Sequence, residues 1–418
     1  MNNTPSITIL YHFFPPDDVV SSRLFGDFAE ELVNRGWRVT VLTSDRYCCY
    51  PEKKIRETCE NWRGVNVIRT RRLGLNQAGN LCRLINAATL MVGWLFQLLR
   101  IPKSDVIVVG TDPQFITVLF PFLRLLRRGK LLCHWCYDLY PEAILANSPQ
   151  NKALRCIGAC ARIVMKWVYK SVDLMVDIGP DMRERLQQYR RETSYATLTP
   201  WALVEPEQPQ EVNLGVRSKL FGEDAVLTLL YSGNLGKAHS FEPFLELARL
   251  LREKNPRIVF CFACRGNRTD ELKSAVTSED INIHLAGFAD ENELRERLSS
   301  ADIHLLSLRE GWQGIVIPSK FFGSLAIGKP VLFAGPQDSA IARWIRGFDV
   351  GMILNLENKE EITNLLLKYA EDNQQLQAQQ ERAFRVYHEN FSKKYIMDHW
   401  DRLLRQQITR KHEDNVSA

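Results

Sequence analysis

The chain has no apolar run long enough to cross a bilayer, no GxGxxG or Walker phosphate loop, and almost no excess of either charge. Each absence removes a class of function. The longest apolar stretch, Leu84 to Leu99, runs sixteen residues and includes Asn86, Thr89 and Gln97, short of the roughly 20 apolar residues a spanning helix needs. A net charge of +5 over 418 residues gives no electrostatic footprint for nucleic acid. The loop after the first predicted strand, HFFPPDDVVSS, lacks the glycine fingerprint of dinucleotide folds. The start, MNNTPS, is polar and leads at once into that strand, so no secretory leader is expected.

Cysteine is present without a pattern that builds anything. Ten cysteines are scattered among predicted strands and helices, which suits a reducing cytoplasm better than a disulfide framework. Cys133 and Cys136, and again Cys261 and Cys264, have a CxxC spacing. Both pairs lie in runs that read as buried strands, where residues three apart point to opposite faces. No turn residue separates them, so core packing is expected and a metal site is not.

What is there describes a soluble globular protein, with 45% apolar and 25% charged residues. The length calls for two domains. Ile7 to Tyr11 reads as a strand, Arg23 to Asn34 as a helix with Leu24, Phe28 and Leu32 on one face, and Trp37 to Thr43 as the next strand. That βαβ unit predicts a parallel sheet with ligand sites at the carboxyl ends of its strands. Ser21, Ser22 and Arg23, at the helix start, offer either a binding edge or an ordinary cap. Asp138 and Glu142 follow the end of a later strand, where a carboxylate can take a proton or hold a sugar hydroxyl; Asp138 can equally cap a helix. His134, inside the strand, is expected to pack.

Arginine flanks the apolar segments of the first half: Arg83 and Arg100 around Leu84 to Leu99, and Arg127, Arg128 and Lys130 after Phe115 to Leu126. Such segments read either as core helices with arginines in water or as a face resting on an anionic membrane surface. A Pro/Glu-rich linker, EPEQPQE, begins at Glu205.

The second half opens with a strand, Ala225 to Ser232, that runs into GNLGKAHS and a helix from Phe241 to Glu253. Asn234, Gly236 and Lys237 in that loop can present amides and a cation to a phosphate. Arg265 ends the next strand, and Glu310 follows a third. The stretch Gly311 to Phe333 then reads as an apolar run, a turn at Pro318 and Ser319, a brief helix stopped by Gly328, and a strand after Pro330. Lys320 falls in that helix's first turn, the unfavourable end for a cation unless an anion binds there. The final helices run from Lys359 to about Gln407, with a frayed tail beyond.

These segments, in this order, resemble a glycosyltransferase of the GT-B fold in the retaining class called family 4, or group 1. The likeness rests on RGWRVTVLT, DLYPE, TPWALVEP, YSGNLGKAHSFEPFLELA and PSKFFGSLAIGKPVLFAG, and it is nearest to bacterial enzymes of capsule, O-antigen and colanic-acid-like exopolysaccharide. It implies an α/β architecture of two facing Rossmann-like domains with parallel sheets and an interdomain cleft. The expected division is an acceptor-side domain over 1–205, a nucleotide-sugar domain over 206–390, and a carboxyl-terminal helix over 391–418 that packs back on the first domain.

The resemblance also implies roles. Asp138, Lys237 and Lys320 are the expected catalytic groups. Asn234, Gly236, Arg265, Glu310, Gly314, Ile315, Val316 and Ser319 are expected at the donor, and Ser21, Ser22, Arg23 and Glu142 on the acceptor side. The leaving nucleotide diphosphate would be stabilised by lysines and helix N-termini, with no metal and no cofactor, because Asp17 and Asp18 lie in the acceptor-side domain. Two departures stand out: Tyr137 holds a position that is often histidine in the family, and Gly323 one that is often a ribose-binding glutamate. The implied partners are a nucleotide-sugar donor, a glycan or lipid-linked acceptor and an anionic membrane surface, but no nucleic acid. The implied location is the cytoplasm or the inner face of the cell membrane. A nucleotide-sugar epimerase of the same fold and a non-catalytic partner protein are the alternatives.

Overall fold

The computed structural model describes residues 4–55, 59–75, 80–126, 128–288 and 291–417. It divides into one unit of 1–199 with 396–418 and a second of 200–395. Arg127, named above, lies outside the described residues.

The first unit runs β1 (Ser6–Leu10), α1 (Val20–Asn34), β2 (Arg38–Ser44), β3 (Cys59–Trp62), β4 (Val65–Thr70), α2 (Asn80–Arg100) and β5 (Ser104–Val109). It continues through α3 (Phe120–Leu125), β6 (Gly129–Trp135), α4 (Glu142–Asn147), α5 (Lys152–Tyr169), β7 (Leu174–Asp177), α6 (Pro180–Leu186) and β8 (Ser194–Thr197). Its strand order is β3-β4-β2-β1-β5-β6-β7-β8, parallel except where β3 pairs antiparallel with β4. Strands covered on both faces need apolar residues at every position, and Val106 to Val109 are fully buried.

The second unit runs α7 (Leu214–Phe221), β9 (Leu227–Asn234), α8 (Glu242–Lys254), β10 (Ile258–Arg265), α9 (Thr269–Ala275), β11 (Ile283–Ala286) and α10 (Glu291–Ser299). Then come β12 (Ile303–Ser307), α11 (Lys320–Ala326), β13 (Val331–Ala334), α12 (Ala340–Phe348), β14 (Gly351–Leu354), α13 (Lys359–Glu371) and α14 (Gln374–Asn390). The order is β11-β10-β9-β12-β13-β14, with every printed pairing parallel. Side chains alternate between two cores: Leu229, Tyr231, Phe260 and Phe262 pack with α8 and α13, and Leu230, Val259 and Ala263 with α7. Cys261 belongs to one core and Cys264 to the other. Strand periodicity thus keeps the pair apart. Cys133 and Cys136 are buried as well. His134 is a core residue whose Nδ1 lies 3.0 Å from the Val109 carbonyl oxygen.

Three expectations change. The carboxyl-terminal helix, α15 (Lys393–Ser417), continues well past Gln407, and Lys411 pairs with Asp173 at 2.6 Å. The apolar segment of the first half is a helix of 21 residues, of which Leu81–Arg100 has a mean hydropathy of 1.4. Length and composition therefore do not exclude a span; packing argues against one, because Leu90, Trp94 and Leu98 are buried in the first unit. Helix α7 was not anticipated, since its sequence has almost no amphipathic period. Asn213 starts it by accepting the Gly215 and Val216 N–H groups at 3.1 and 3.2 Å.

Within the first unit, Trp400 of α15 is fully buried against Phe28 and Trp135, with ring centroids 5.0 Å away in both cases. Trp400→Ala should destabilise this unit by about 3–5 kcal/mol, read as a lowered guanidinium midpoint, whereas Trp400→Phe should lose much less.

Candidate active site

In the second unit the chain leaves β9 toward β10 on one side and returns at β12 on the other. The carboxyl ends of β9 and β12 therefore form a topological switch point, the place where such sheets bind ligands. Lys320, the first residue of α11, reaches into that place. Its Nζ donates to the Asn234 carbonyl oxygen at 2.7 Å and to the Tyr231 hydroxyl at 3.3 Å, and stands 4.9 Å from the Tyr231 ring centre. Gly233 makes the approach possible: its φ is +120°, and a Cβ there would come within 2.8 Å of Lys320 Cε.

No carboxylate of a described residue pairs with Lys320. Burial holds its ammonium down to about 7 from the ordinary 10.5. His239 sits in the same surroundings, with Nδ1 2.7 Å from the Ser307 carbonyl oxygen. Burial first, and Lys320 second, keep its imidazole neutral by pulling it to about 3.

The loop from Leu235 to Phe241 is fixed from both flanks. Arg268 donates to the His239 carbonyl at 2.7 Å and pairs with Glu242 at 2.5 Å and Glu271 at 2.8 Å. From the β12 side, the Arg309 N–H donates to the Ala238 carbonyl at 2.8 Å, and Ser307 Oγ accepts the Ser240 N–H at 3.1 Å. Lys237, in the middle of this fixed loop, is exposed with no ion-pair partner among the described residues. Asn234 and Arg265 end adjacent strands as a register pair. Arg265 is exposed, its guanidinium 4.0 Å from the Phe288 ring centre. Close packing of backbone at Gly266, where a Cβ would lie 2.5 Å from the Leu235 carbonyl oxygen, keeps the two loops together.

The stretch after β12 differs from expectation in part. Glu310 and Ser319 are exposed, Val316 is half-buried, and Gly314 is buried with φ +68°. Ile315 is buried and its N–H already donates to the Trp312 carbonyl at 3.1 Å, so it has no amide to offer a phosphate. Ser319 has helical backbone angles and its side chain makes no cap hydrogen bond. First-turn amides are committed as well: Phe321 and Phe322 donate to Pro318 and Ser319, and the Phe241 N–H donates to the Glu242 carboxylate at 2.9 Å. These amides are therefore spent before an anion arrives. Gly323 has open space around it, with nothing within 4 Å of an added Cβ.

In the first unit, Asp138 follows β6 and Asp112 follows β5, the neighbouring strand. Burial and then the Asp112 charge push the Asp138 carboxyl up to about 7, and burial pushes Asp112 to about 6. Tyr137 is packed against Phe25 and Trp135, and its buried hydroxyl has no hydrogen-bond partner. It cannot take over a histidine's proton chemistry, because burial raises its phenol far above 10.

The acceptor-side expectations fare less well. Glu142 is buried and tied to Arg162 at 3.0 Å and to the Tyr189 hydroxyl at 2.5 Å, which makes it a brace between α4 and α5. Ser22 is fully buried inside α1, and neither it nor Ser21 caps that helix, whose cap position is Val19. Arg23 lies 3.6 Å from Asp18. Sequence reasoning passed over Tyr231, His239, Arg309, His12 and Asp112. Strand-end position alone signals Asp112, in GTDP, as it did Asp138.

Two family models match the chain, one described as a glycosyl transferase 4-like domain over 22–200 and one as glycosyl transferases group 1 over 217–386. The second domain is thus a group 1 glycosyltransferase domain and the first a glycosyl transferase 4-like domain, and the two α/β domains with parallel sheets are those of the GT-B fold. Among curated proteins it is similar to WbjE of Pseudomonas aeruginosa, a glycosyltransferase by assignment, at 26% identity over 60% of this chain and 62% of that protein. The match therefore spans less than two thirds of that relative's length. It is also similar to WcaI of Escherichia coli strain K12, a glycosyl transferase assigned to colanic acid biosynthesis, at 24% identity over 75% of this chain and 79% of that one. Among solved structures, sucrose-phosphate synthase from Thermosynechococcus elongatus superposes with a TM-score of 0.72 at 12% identity, covering 97% of this chain and all of that one.

Because Lys320 is near 7 when folded and near 10.5 when not, the unfolded chain binds one more proton in between. Folding stability should therefore rise with pH across that window, by up to about 1.4 kcal/mol per pH unit less the share that water screens. Urea unfolding at pH 7 to 9.5 should show that slope in the wild type and a flatter one in Lys320→Met.

Proposed function

We propose that this protein moves a sugar from a nucleotide-diphosphate donor to a glycan or lipid-linked glycan in bacterial cell-surface polysaccharide synthesis, with retention of configuration. One observation carries the donor half: a lysine with no carboxylate partner among the described residues, held at the switch point of the second sheet. An ammonium with only a carbonyl and a phenol for company gains most when an anion arrives, because the anion supplies the charge that burial withholds. In the reaction, the bond between the anomeric carbon and the diphosphate oxygen breaks while the acceptor hydroxyl bonds to that carbon from the same face. The acceptor proton passes to the departing diphosphate. Lys320 and the exposed Lys237 take up the charge that develops on the leaving group, so the reading needs no metal. Asp138, poised near 7, is suited to hold and orient the acceptor hydroxyl.

The inner face of the cell membrane is the proposed location. Helices α2, α3 and α5 turn Phe96, Phe122, Leu125, Ile163 and Trp167 to water, with Arg124 and Lys166 among them.

A thermal-shift screen against UDP, GDP, ADP and their sugars tests the reading: one nucleotide family should raise the midpoint, and Lys320→Ala should abolish the shift. Lys320→Ala should also fold normally yet turn over at least about a hundredfold more slowly, as for loss of one oxyanion donor; near-normal turnover would refute the assignment. Conversion of a UDP-sugar with no acceptor present would instead identify an epimerase.

A further inference from the structure

The chain passes between its two units twice, after Thr199 and after Tyr395. Both crossings are bonded to one pair of side chains in the second unit. Tyr387, near the end of α14, is fully buried. Its hydroxyl accepts the Ala202 N–H at 2.8 Å and donates to the Glu205 carboxylate. The same carboxylate oxygen accepts the Lys393 N–H, at the start of α15, at 2.8 Å. The stretch just after the first crossing and the opening of α15 are thus fastened together through Tyr387 and Glu205. Because α15 starts before the second crossing and runs past it, that crossing is itself helical.

Helix α14 also backs the helix that begins with Lys320. Gly328, just past α11, lies so close to α14 that an added Cβ would stand 3.3 Å from the Gln380 carbonyl oxygen and from Phe384 Cβ. Phe321 and Phe322, which follow Lys320 directly, meet the Phe391 ring at centroid distances of 6.0 and 5.4 Å. Phe391 falls between Tyr387 and Lys393 in the chain, inside the segment that the two bonds hold.

A cap for α15 alone needs less than this. Serine, threonine or asparagine would satisfy the Lys393 N–H. Burial raises the Glu205 carboxyl above its ordinary value, so an acid is a costly way to do the same. What the acid adds is its second bond, to the hydroxyl that holds the other crossing.

We infer that Glu205 and Tyr387 are positioning residues, a clasp that couples the helix bearing Lys320 to both chain crossings. The inference rests on the transferase reading above and adds how a bound donor is signalled to the rest of the chain. A diphosphate draws Lys320 away from the Asn234 carbonyl and the Tyr231 hydroxyl, and the first turn of α11 moves with it. Phe391 is the ring that this turn meets, and a close-packed interior passes the displacement on. Through the clasp it reaches the first turn of α15.

Amide hydrogen exchange on the full-length protein tests this, with the protein free and then saturated with whichever of UDP, GDP and ADP raises its thermal midpoint. Nucleotide should slow exchange in α11 and also at residues 393–400, the latter by at least about fivefold, the lower end of ordinary coupling between sites. In Tyr387→Phe and in Glu205→Ala the thermal shift and the α11 response should remain while the response at 393–400 is lost. Glu205→Gln, which keeps an acceptor oxygen in place, should retain it. Asn213→Ala, which removes the cap of α7 in the same unit, should behave as wild type. A wild type that shows nothing at 393–400, a response that survives both Tyr387→Phe and Glu205→Ala, or an equal loss in Asn213→Ala would overturn the inference and leave Glu205 as a cap of α15 only. The two readings fail separately: a nucleotide shift without the response at 393–400 retains the transferase and loses the clasp, whereas no shift with any of the three nucleotides removes both.

Discussion

A cation with no counter-charge among the described residues is the constraint around which the second unit is arranged. Lys320 has to be brought to the end of β9, denied a carboxylate and still kept folded. The fold achieves this with a glycine at 233 that leaves room for its stem, a carbonyl at Asn234 and a phenol at Tyr231 that satisfy its protons, and a neutral His239 nearby. Glu242, which could have neutralised the region, is drawn off by Arg268 and by its own helix end. Such an arrangement stores unfavourable electrostatics in the resting protein, and a diphosphate would release it.

The two sheets use one topological device for two kinds of chemistry. Each has a switch point where consecutive loops diverge, yet the second gathers exposed or undercompensated cations there and the first gathers carboxylates, a neutral imidazole and an amide. Coulomb's law separates them by partner: the first suits hydroxyls and the second suits phosphate. Burial raises both carboxyls and the Asp112 charge raises Asp138 further, so at neutral pH the pair does not carry two full charges, and a sugar hydroxyl meets both a donor and an acceptor.

Much of the fold was legible because its signals are local. Near-continuous apolar runs in AVLTLLYS and IVFCFAC mark buried strands, and glycine with proline after Ile327 marks the end of α11. Those signals also placed Lys320 correctly at a helix start. What they could not show is where hydrogen-bonding groups are spent. Glu142 looks like any strand-end carboxylate until Arg162 and Tyr189, distant in sequence, are seen to claim it. Ser22 reads as a cap until the helix is found to start before it, at Val20. The amide of Ile315 is used by Trp312 in a turn that no propensity scale describes. Helix α2 was underestimated for a related reason: its polar residues were counted as interruptions, yet Asn86 is buried and ties the helix to the backbone of Leu75 at 2.9 Å.

The path of the chain has a consequence for biosynthesis. The first unit is left at Thr199 and resumed only at Ile396, after the entire second unit has been made. Until the last few dozen residues emerge from the ribosome, Phe28 and Trp135 face an unfilled notch where Trp400 belongs. The second unit, being continuous, can close on itself while the first is still waiting. A chain released before its final helix therefore leaves the ribosome without the ring that covers Phe28 and Trp135.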